Sequence, residues 1–265
     1  MALRLACTGV CKVSYLLRLF GDKLNASSFE ELNKAQRSGV AATLEGDVGN
    51  AGWEQSQVAI DSGGLGIRDV AETALPAFVA SRIAARPIAK RIFASMESEG
   101  LAQTGLLLGA YDVRTDAAAA RIFHSLNGEP SALDAVRHEL RQAEGAAEAW
   151  WALVEAGEEP GPEILQGNTT DDTDAEELRS LHSSFTIQSR ITRHFDRIRL
   201  EKLKATLETA GHEEDIRRLR DLQDKANQDH TWWQALNPQT DRVLPRTEWV
   251  TAMRARLGAP VLPTD

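Results

Sequence analysis

Hydrophobic positions recur every three to four residues over most of the chain, which predicts helices rather than strands. In the N-terminal part, helical spacing links Val13, Leu16, Leu17 and Phe20, and the pattern then continues over residues 28–44 among good helix formers. Alternation with a period of two, the pattern of half-buried strands, is scarce. The chain is therefore predicted to be mainly α-helical.

The longest apolar stripe lies in the C-terminal part of the chain. Its members are Ile187, Ile191, Phe195, Ile198, Leu203 and Leu207. Gly211 follows the stripe and is predicted to end this helix, because glycine readily adopts the left-handed backbone found just after helices. A further helix is predicted from the spacing of Ile216, Leu219 and Leu222.

Two positions predict where helices begin in the N-terminal part. Asp69 and Glu72 have the spacing of a capping box, in which each side chain accepts a hydrogen bond from a backbone amide of the first turn. A helix is therefore predicted to start at Asp69. Pro87 has no backbone amide hydrogen and is best tolerated in a first turn, so it is predicted to start another helix.

Strand signals are concentrated in the stretch "AIDSGGLGIRDV" and the residues just before it. Short apolar runs at 57–60 and 65–67 flank a glycine-rich turn, which predicts one short β-hairpin near residues 57–67. The rest of the N-terminal part is predicted to be a helical, bundle-like region.

The same stretch contains features of two kinds of functional site. Ser62 stands beside glycines, as some nucleophilic serines do, but no histidine precedes it and the Gly-x-Ser-x-Gly elbow is absent. The run from Gly63 to Gly66 lacks the lysine of a Walker loop and the spacing of a dinucleotide loop. The turn is therefore predicted to be structural. No catalytic residue is assigned, and the protein is predicted not to be an enzyme.

The distribution of charge divides the chain. Between Ala143 and Leu178 there are eleven acidic residues and no lysine or arginine. Within this run, residues 157–173 are rich in glycine, proline and small polar residues, which predicts a linker. The predicted organisation is a helical region over 1–156, an acidic linker over 157–173 and a second helical region over 174–265.

Composition narrows the classes of protein to which the chain could belong. A hydrophobic fraction of 42% and a charged fraction of 26% are typical of globular proteins, and no apolar run is long enough to cross a membrane. Cys7 and Cys11 lack the partners of a zinc site, and the histidines are scattered, so no metal, cofactor or membrane partner is predicted. An intracellular protein of the nucleus or cytoplasm is expected. The basic N-terminus, with no acidic residue before Asp22, leaves mitochondrial targeting as an alternative.

Positive charge is the main functional signal. The net charge of −9 disfavours affinity for nucleic acid over the whole surface, yet basic residues cluster on two predicted helices. These residues are Arg82, Arg86, Lys90, Arg190, Arg193, Arg197 and Lys204. Solvated helix faces are one explanation, and contact with phosphate groups of RNA or DNA is the other. Trp232 and Trp233 are the candidate anchors for a protein partner.

Two stretches of the chain resemble a known family. "CKVSYLLRLFGDKL", followed by "WEQSQVAIDSGGLGIRDVAETALPAFVAS", and the later "DHTWWQALNPQTDRVLPRTEWVTAMRARLGAPVLP" are similar to the region after the polymerase palm in LINE-type, non-LTR retrotransposon reverse transcriptases. The resemblance covers about residues 3–95 and 228–263. It implies a thumb-like helical region and a connector.

The chain departs from this family at the residues that carry polymerase chemistry. The Tyr-x-Asp-Asp hairpin is absent, and "AYDVRTD" at 110–116 has Val113 where the second aspartate would stand. The resemblance therefore implies contact with a nucleic-acid backbone and not synthesis. The leading hypothesis is a non-catalytic, retroelement-derived helical protein whose basic helix faces contact nucleic acid. The alternative is a helical protein-interaction module with no nucleic-acid role.

Overall fold

The computed structural model describes residues 13, 15–60, 62–101, 103–126, 130–156, 184–223 and 246–260. Within these residues there are nine helices and no strand. The helices are α1 (15–20), α2 (Ala26–Thr43), α3 (Gly49–Ser56), α4 (Val70–Ser98), α5 (Thr104–Ser125), α6 (Pro130–Ala156), α7 (Ser184–Thr209), α8 (Glu213–Gln223) and α9 (Arg246–Arg256). The prediction of a mainly helical protein is confirmed.

The described helices group into two compact units. Unit 1 comprises Ala26–Val70 and the described residues from Phe195 onward, and unit 2 comprises Val13–Asn25 and the described residues of Ala71–His194. Helices α4 and α7 contribute residues to both units. The acidic linker predicted at 157–173 lies outside the described residues, so the division into regions 1–156 and 174–265 stays a prediction.

Unit 1 contains a core formed by α2, α3 and α9. The buried side chains of this cluster include Val40, Leu44, Trp53, Met253 and Leu257. A second cluster joins α7 to α8 and consists of Leu203, Leu207, Ile216 and Leu219. Apolar burial therefore links residues of the N-terminal part to the last helix of the chain.

The junction between α7 and α8 confirms the predicted helix end. Gly211 has φ of +73°, in the left-handed region that favours glycine. The amide of His212 donates to the carbonyl of Leu207 at 2.9 Å, and that of Gly211 donates to Glu208 at 3.1 Å. These two bonds satisfy carbonyls that the end of a helix leaves without partners.

The β-hairpin predicted near residues 57–67 does not form. The amides of Leu65 and Ile67 both donate to the carbonyl of Ser56, each at 3.1 Å, and the amide of Gly66 donates to Val58 at 2.8 Å. These bonds converge on the end of α3, whereas a hairpin would distribute them along two strands. The segment is a compact turn, here called the glycine turn (described residues of 57–67), and the hairpin prediction is wrong.

Glycine is required at several positions of this turn. Gly63 and Gly66 have φ of +95° and +68°. Gly64 is constrained by space, because a Cβ atom there would lie 2.0 Å from the carbonyl oxygen of Val58. A side chain could be accommodated only if the backbone moved.

Helix α4 begins where the sequence predicted and runs further than predicted. It starts at Val70, whose amide donates to the Asn33 side-chain oxygen at 3.1 Å. Pro87 was predicted to start a separate helix, but it lies inside α4, so that prediction is wrong. Contacts on both sides of Pro87 hold the helix together, since Arg86 binds Asp112 and the carbonyl of Phe93 accepts a hydrogen bond from Thr104. Packing against α5 thus outweighs the cost of an interior proline, about 3 kcal/mol.

Unit 2 contains α1, α5, α6 and most of α4. Leu17, Phe78, Ile122, Val136 and Leu140 are among its buried side chains. The α1 and α4 backbones approach closely, because a Cβ atom at Gly21 would lie 2.4 Å from the carbonyl oxygen of Ala74. No described helix is long and apolar enough to cross a membrane.

Candidate functional site

Arg82, the first residue of the basic stripe on α4, lies against α5. Its Nε donates to Thr115 Oγ1 at 2.8 Å and its Nη2 to the carbonyl oxygen of Tyr111 at 2.7 Å. The guanidinium also stacks on the Tyr111 ring, 3.5 Å from its centroid. Burial lowers the pKa of Arg82 and raises that of Tyr111. This arginine joins two helices of unit 2.

Arg86, one turn further along α4, forms a two-pronged ion pair. Its Nε and Nη2 donate to the two carboxylate oxygens of Asp112, each at 2.8 Å, and its Nη1 lies 3.2 Å from a Glu148 oxygen. The hydrogen bond from Arg86 lowers the pKa of Asp112, and the same bond raises that of Arg86. Two carboxylates therefore neutralise Arg86 within unit 2.

A polar cavity of about 510 Å³ opens beside these arginines, between α4, α5 and α6. Arg82, Arg86 and Arg141 line it, together with four carboxylates. The carboxylates are Asp112, Asp116, Glu144 and Glu148. Desolvation, followed by the negative charge of Asp116, raises the pKa of Glu144. The cavity thus has an excess of negative charge, which is unfavourable for a phosphate group.

The remaining basic candidates differ in their surroundings. Arg190 donates to Glu139 at 3.0 Å, and Lys204 donates to the Gln223 side chain at 2.6 Å. Lys90, Arg193 and Arg197 are exposed. Hydrogen bonds inside one unit therefore engage at least Arg82, Arg86, Arg190 and Lys204.

Four exposed large apolar side chains lie close together on α1. Tyr15, Leu16, Leu19 and Phe20 expose 67%, 51%, 42% and 51% of their surface. The spacing i, i+1, i+4 and i+5 places these four side chains on one side of the helix within less than two turns. They are called the α1 patch below. The opposite side of α1 packs into unit 2 through Leu17, which is fully buried.

Basic residues surround the chain where α1 ends. Arg114 donates to both oxygens of the Asp22 carboxylate, each at 2.6 Å, and Arg121 donates to the Asp22 carbonyl at 2.8 Å. Burial raises the pKa of Asp22, but the bonds and the charge of Arg114 outweigh burial and lower it. Lys23 is exposed. Three cations thus lie at or next to Asp22, and only Arg114 is paired with its carboxylate. We call Lys23, Arg114 and Arg121 the cationic rim.

The sequence predicted α1 but did not single out its exposed face. Leu16, Leu17 and Phe20 all fit a helical apolar pattern, and spacing alone does not tell which of them is buried. A usable signal is that Tyr15, Leu16, Leu17, Leu19 and Phe20 spread over an arc of about 200° at about 100° per residue, wider than the stripe of about 100° that faces a single core. An apolar arc of this width indicates that part of it is available to a second surface. The proposed anchors Trp232 and Trp233 lie outside the described residues.

Neither the search for metal ligands among the described residues nor the comparison with known proteins indicates a further site. In the ranges that the structure describes, no three His, Cys, Asp or Glu side chains are grouped so that they could hold a metal ion. No family model, curated protein or solved structure matches this chain.

Proposed function

We propose that this chain is a non-catalytic, helical protein-interaction module that binds a partner protein through the α1 patch. The observation that carries the proposal is the exposure of four adjacent large apolar side chains on α1. Contiguous apolar patches on a surface are typical of binding sites, because their contact with water is unfavourable.

The distribution of exposed apolar residues supports unit 2 as the binding unit. The large hydrophobic side chains that are well exposed in the described ranges are Tyr15, Leu16, Leu19, Phe20, Ile88, Ile92, Leu101, Leu106 and Val113. All of them belong to unit 2. Unit 1, in contrast, has no large hydrophobic side chain in that exposed set within the described residues, and its two clusters bury several of its large apolar side chains.

Origin from a LINE-type retroelement is part of the same proposal. The two stretches that carry the resemblance are far apart in sequence, yet both supply residues to unit 1. A Cβ atom at Gly52 would lie 3.0 Å from the carbonyl oxygen of Leu257, and Gln55 donates to the carbonyl of Arg256 at 2.8 Å. The two stretches thus contribute to one folded unit, as we expect if they were inherited together as one region.

A photo-crosslinking amino acid at position 16 of the full chain tests the interaction. We expect adducts with a protein of defined mass, formed in cells and lost when Phe20→Ser is added. The same amino acid at Arg217, which is exposed on α8, serves as the control position. Equal adducts from both positions, or adducts that persist with Phe20→Ser, would contradict the proposal.

Contact with nucleic acid is the second candidate function, and the exposure of Lys90, Arg193 and Arg197 favours it. The full chain should be titrated against single-stranded and duplex RNA and DNA at two salt concentrations. Contact with phosphates predicts that log K falls with log salt with a slope of about −0.7 to −0.9 per contact. Single reversals such as Arg197→Glu should reduce that slope, whereas absence of binding at low salt would exclude this function.

A further inference from the structure

Charge at one end of the α1 patch restricts the chemistry of its partner. Lys23 and Arg121 are exposed, and Arg114 is 37% exposed although it holds Asp22. Asp22, the carboxylate paired with Arg114, is only 8% exposed. A partner therefore meets apolar side chains along α1 and positive charge where α1 ends.

Resting on the function proposed above, we infer that the α1 patch binds an amphipathic segment of a partner protein that carries carboxylates beside its apolar side chains. Carboxylates complement the cationic rim, and charge complementarity of this kind mainly increases specificity and the rate of association. The partner's apolar residues cover Tyr15, Leu16, Leu19 and Phe20.

The chemistry of the patch favours a peptide segment as the occupant. A facing amphipathic helix presents apolar residues at i, i+3 and i+4 in helix-in-groove recognition, and such side chains can cover the apolar residues of the α1 patch. Phosphate backbones, by contrast, offer no apolar side chains to cover Leu16 and Phe20.

The cationic rim predicts a measurable electrostatic component of binding. Lys23 and Arg121 are at the surface, where salt screens their charge. Affinity for the partner segment should therefore fall several-fold between low salt and 0.5 M salt. The apolar contacts do not weaken in this way, so some binding should persist at high salt.

Selection from a displayed library of random 16-residue peptides on the immobilised full chain tests the inference. We expect enriched peptides with two or more apolar residues at helical spacing and an excess of Asp and Glu. One enriched peptide, synthesised with a fluorophore, is then measured by anisotropy. Leu16→Ser with Phe20→Ser should weaken its binding at least tenfold, and Lys23→Gln with Arg121→Gln several-fold at low salt.

The control is Ile88→Ser with Ile92→Ser, which changes exposed apolar residues of unit 2 on α4 and should leave the affinity unchanged. Circular dichroism of each variant checks that the fold is kept. If Leu16→Ser with Phe20→Ser unfolds the chain, Leu16→Gln alone gives the same test with one smaller change.

The results of the selection and of the binding measurements test this inference separately from the proposed function. Enriched peptides that need Leu16 and Phe20 but carry no excess of acid would overturn this inference and leave the proposed interaction function standing. Peptides whose binding is the same in Leu16→Ser with Phe20→Ser would overturn both. Binding of phosphatidylglycerol vesicles through these residues, with no enriched peptide, would also overturn both and identify a lipid surface as the occupant.

Discussion

Arg256 and Gly64 lie 192 residues apart in sequence and are joined by a hydrogen bond of 3.1 Å from the guanidinium Nε to the glycine carbonyl oxygen. The Nη2 of Arg256 also donates to the carbonyl of Ile60 at 2.6 Å. The glycine turn belongs to no strand or helix, so its carbonyls need partners from elsewhere. Desolvation, and then the nearby charge of Arg218, lower the pKa of Arg256.

Arg256→Ala should destabilise the protein by about 1–3 kcal/mol, because it removes the side-chain donor to the Gly64 carbonyl and one of the two donors to the Ile60 carbonyl, which keeps the amide of Gly63. Arg256→Lys keeps the charge, but a lysine ammonium cannot donate to both carbonyls with the geometry of the guanidinium. Its stability should therefore lie between that of the unchanged protein and that of Arg256→Ala. Urea unfolding followed by circular dichroism measures the change. Arg220→Ala, at an exposed position of α8, is the matched control and should remain within about 0.5 kcal/mol.

Gly64→Ala should be more damaging than its size suggests, with a loss of about 3 kcal/mol or more, because the methyl group would collide with the Val58 carbonyl. Gly39→Ala lies inside α2, where an added Cβ meets no atom within 4 Å. That change should stabilise the protein by about 0.5–1 kcal/mol. Thermal unfolding of the two variants side by side provides the comparison, and equal destabilisation would contradict the close approach at Gly64.

Asp112 should make unit 2 sensitive to acid. The folded protein lowers its pKa below the ordinary value of 3.8, chiefly through the hydrogen bond from Arg86. A lowered pKa of a carboxyl contributes stability above the unfolded value, and that stability is lost as the pH falls through the folded value. Asp112→Asn should therefore cost stability at pH 7 and progressively less below pH 3.8. Asp134→Asn, at an exposed site on α6, is the control in urea unfolding at pH 7, 4.5 and 3.

Glu144→Gln should stabilise the protein at neutral pH, whereas Asp112→Asn should destabilise it. The pKa of Glu144 is raised above its ordinary value of 4.5 by desolvation and by the charge of Asp116, so ionisation of this side chain disfavours the folded state. That penalty is complete above the folded pKa and vanishes as the pH falls below 4.5. Since Glu144 is exposed, the gain at pH 7 should be only a few tenths of a kcal/mol. No gain at pH 7, or the same gain at pH 3.5, would show that its environment is not electrostatically unfavourable.

The sequence predicts the helices well because their determinants are local. The stripe from Ile187 to Leu207 and the glycine that follows it specify α7 and its end without reference to the rest of the fold. Pro87 shows the limit of such rules. Its neighbours Arg86 and Phe93 contact residues of α5, and a local rule for helix starts does not include those contacts.

A different reason explains why the sequence did not predict the conformation of the glycine turn or the partners of the basic stripe. The runs at 57–60 and 65–67 look like paired strands, but amides within the turn bond the carbonyls of Val58 and Ala59, and Arg256, far away in sequence, bonds those of Ile60 and Gly64. Arg82 and Arg86 share a helix face, as their spacing predicts, yet Tyr111 and Asp112 on α5 decide what they bind. The assignment of the seven basic residues to nucleic acid stays a prediction.

The contribution of Arg256 to the glycine turn also affects the order in which the two units can fold during translation. At about 5–20 residues per second, the 192 residues that separate Gly64 from Arg256 take roughly 10–40 s to translate. Through that interval, Val40, Leu44 and Trp53 have no Met253 or Leu257 to cover them. The described residues of unit 2 are all synthesised before Arg256, Val13–Asn25 before the interval begins and those of Ala71–His194 during it. Unit 1 is therefore the later of the two to fold, and its first half is the part of the nascent chain that most needs protection from aggregation.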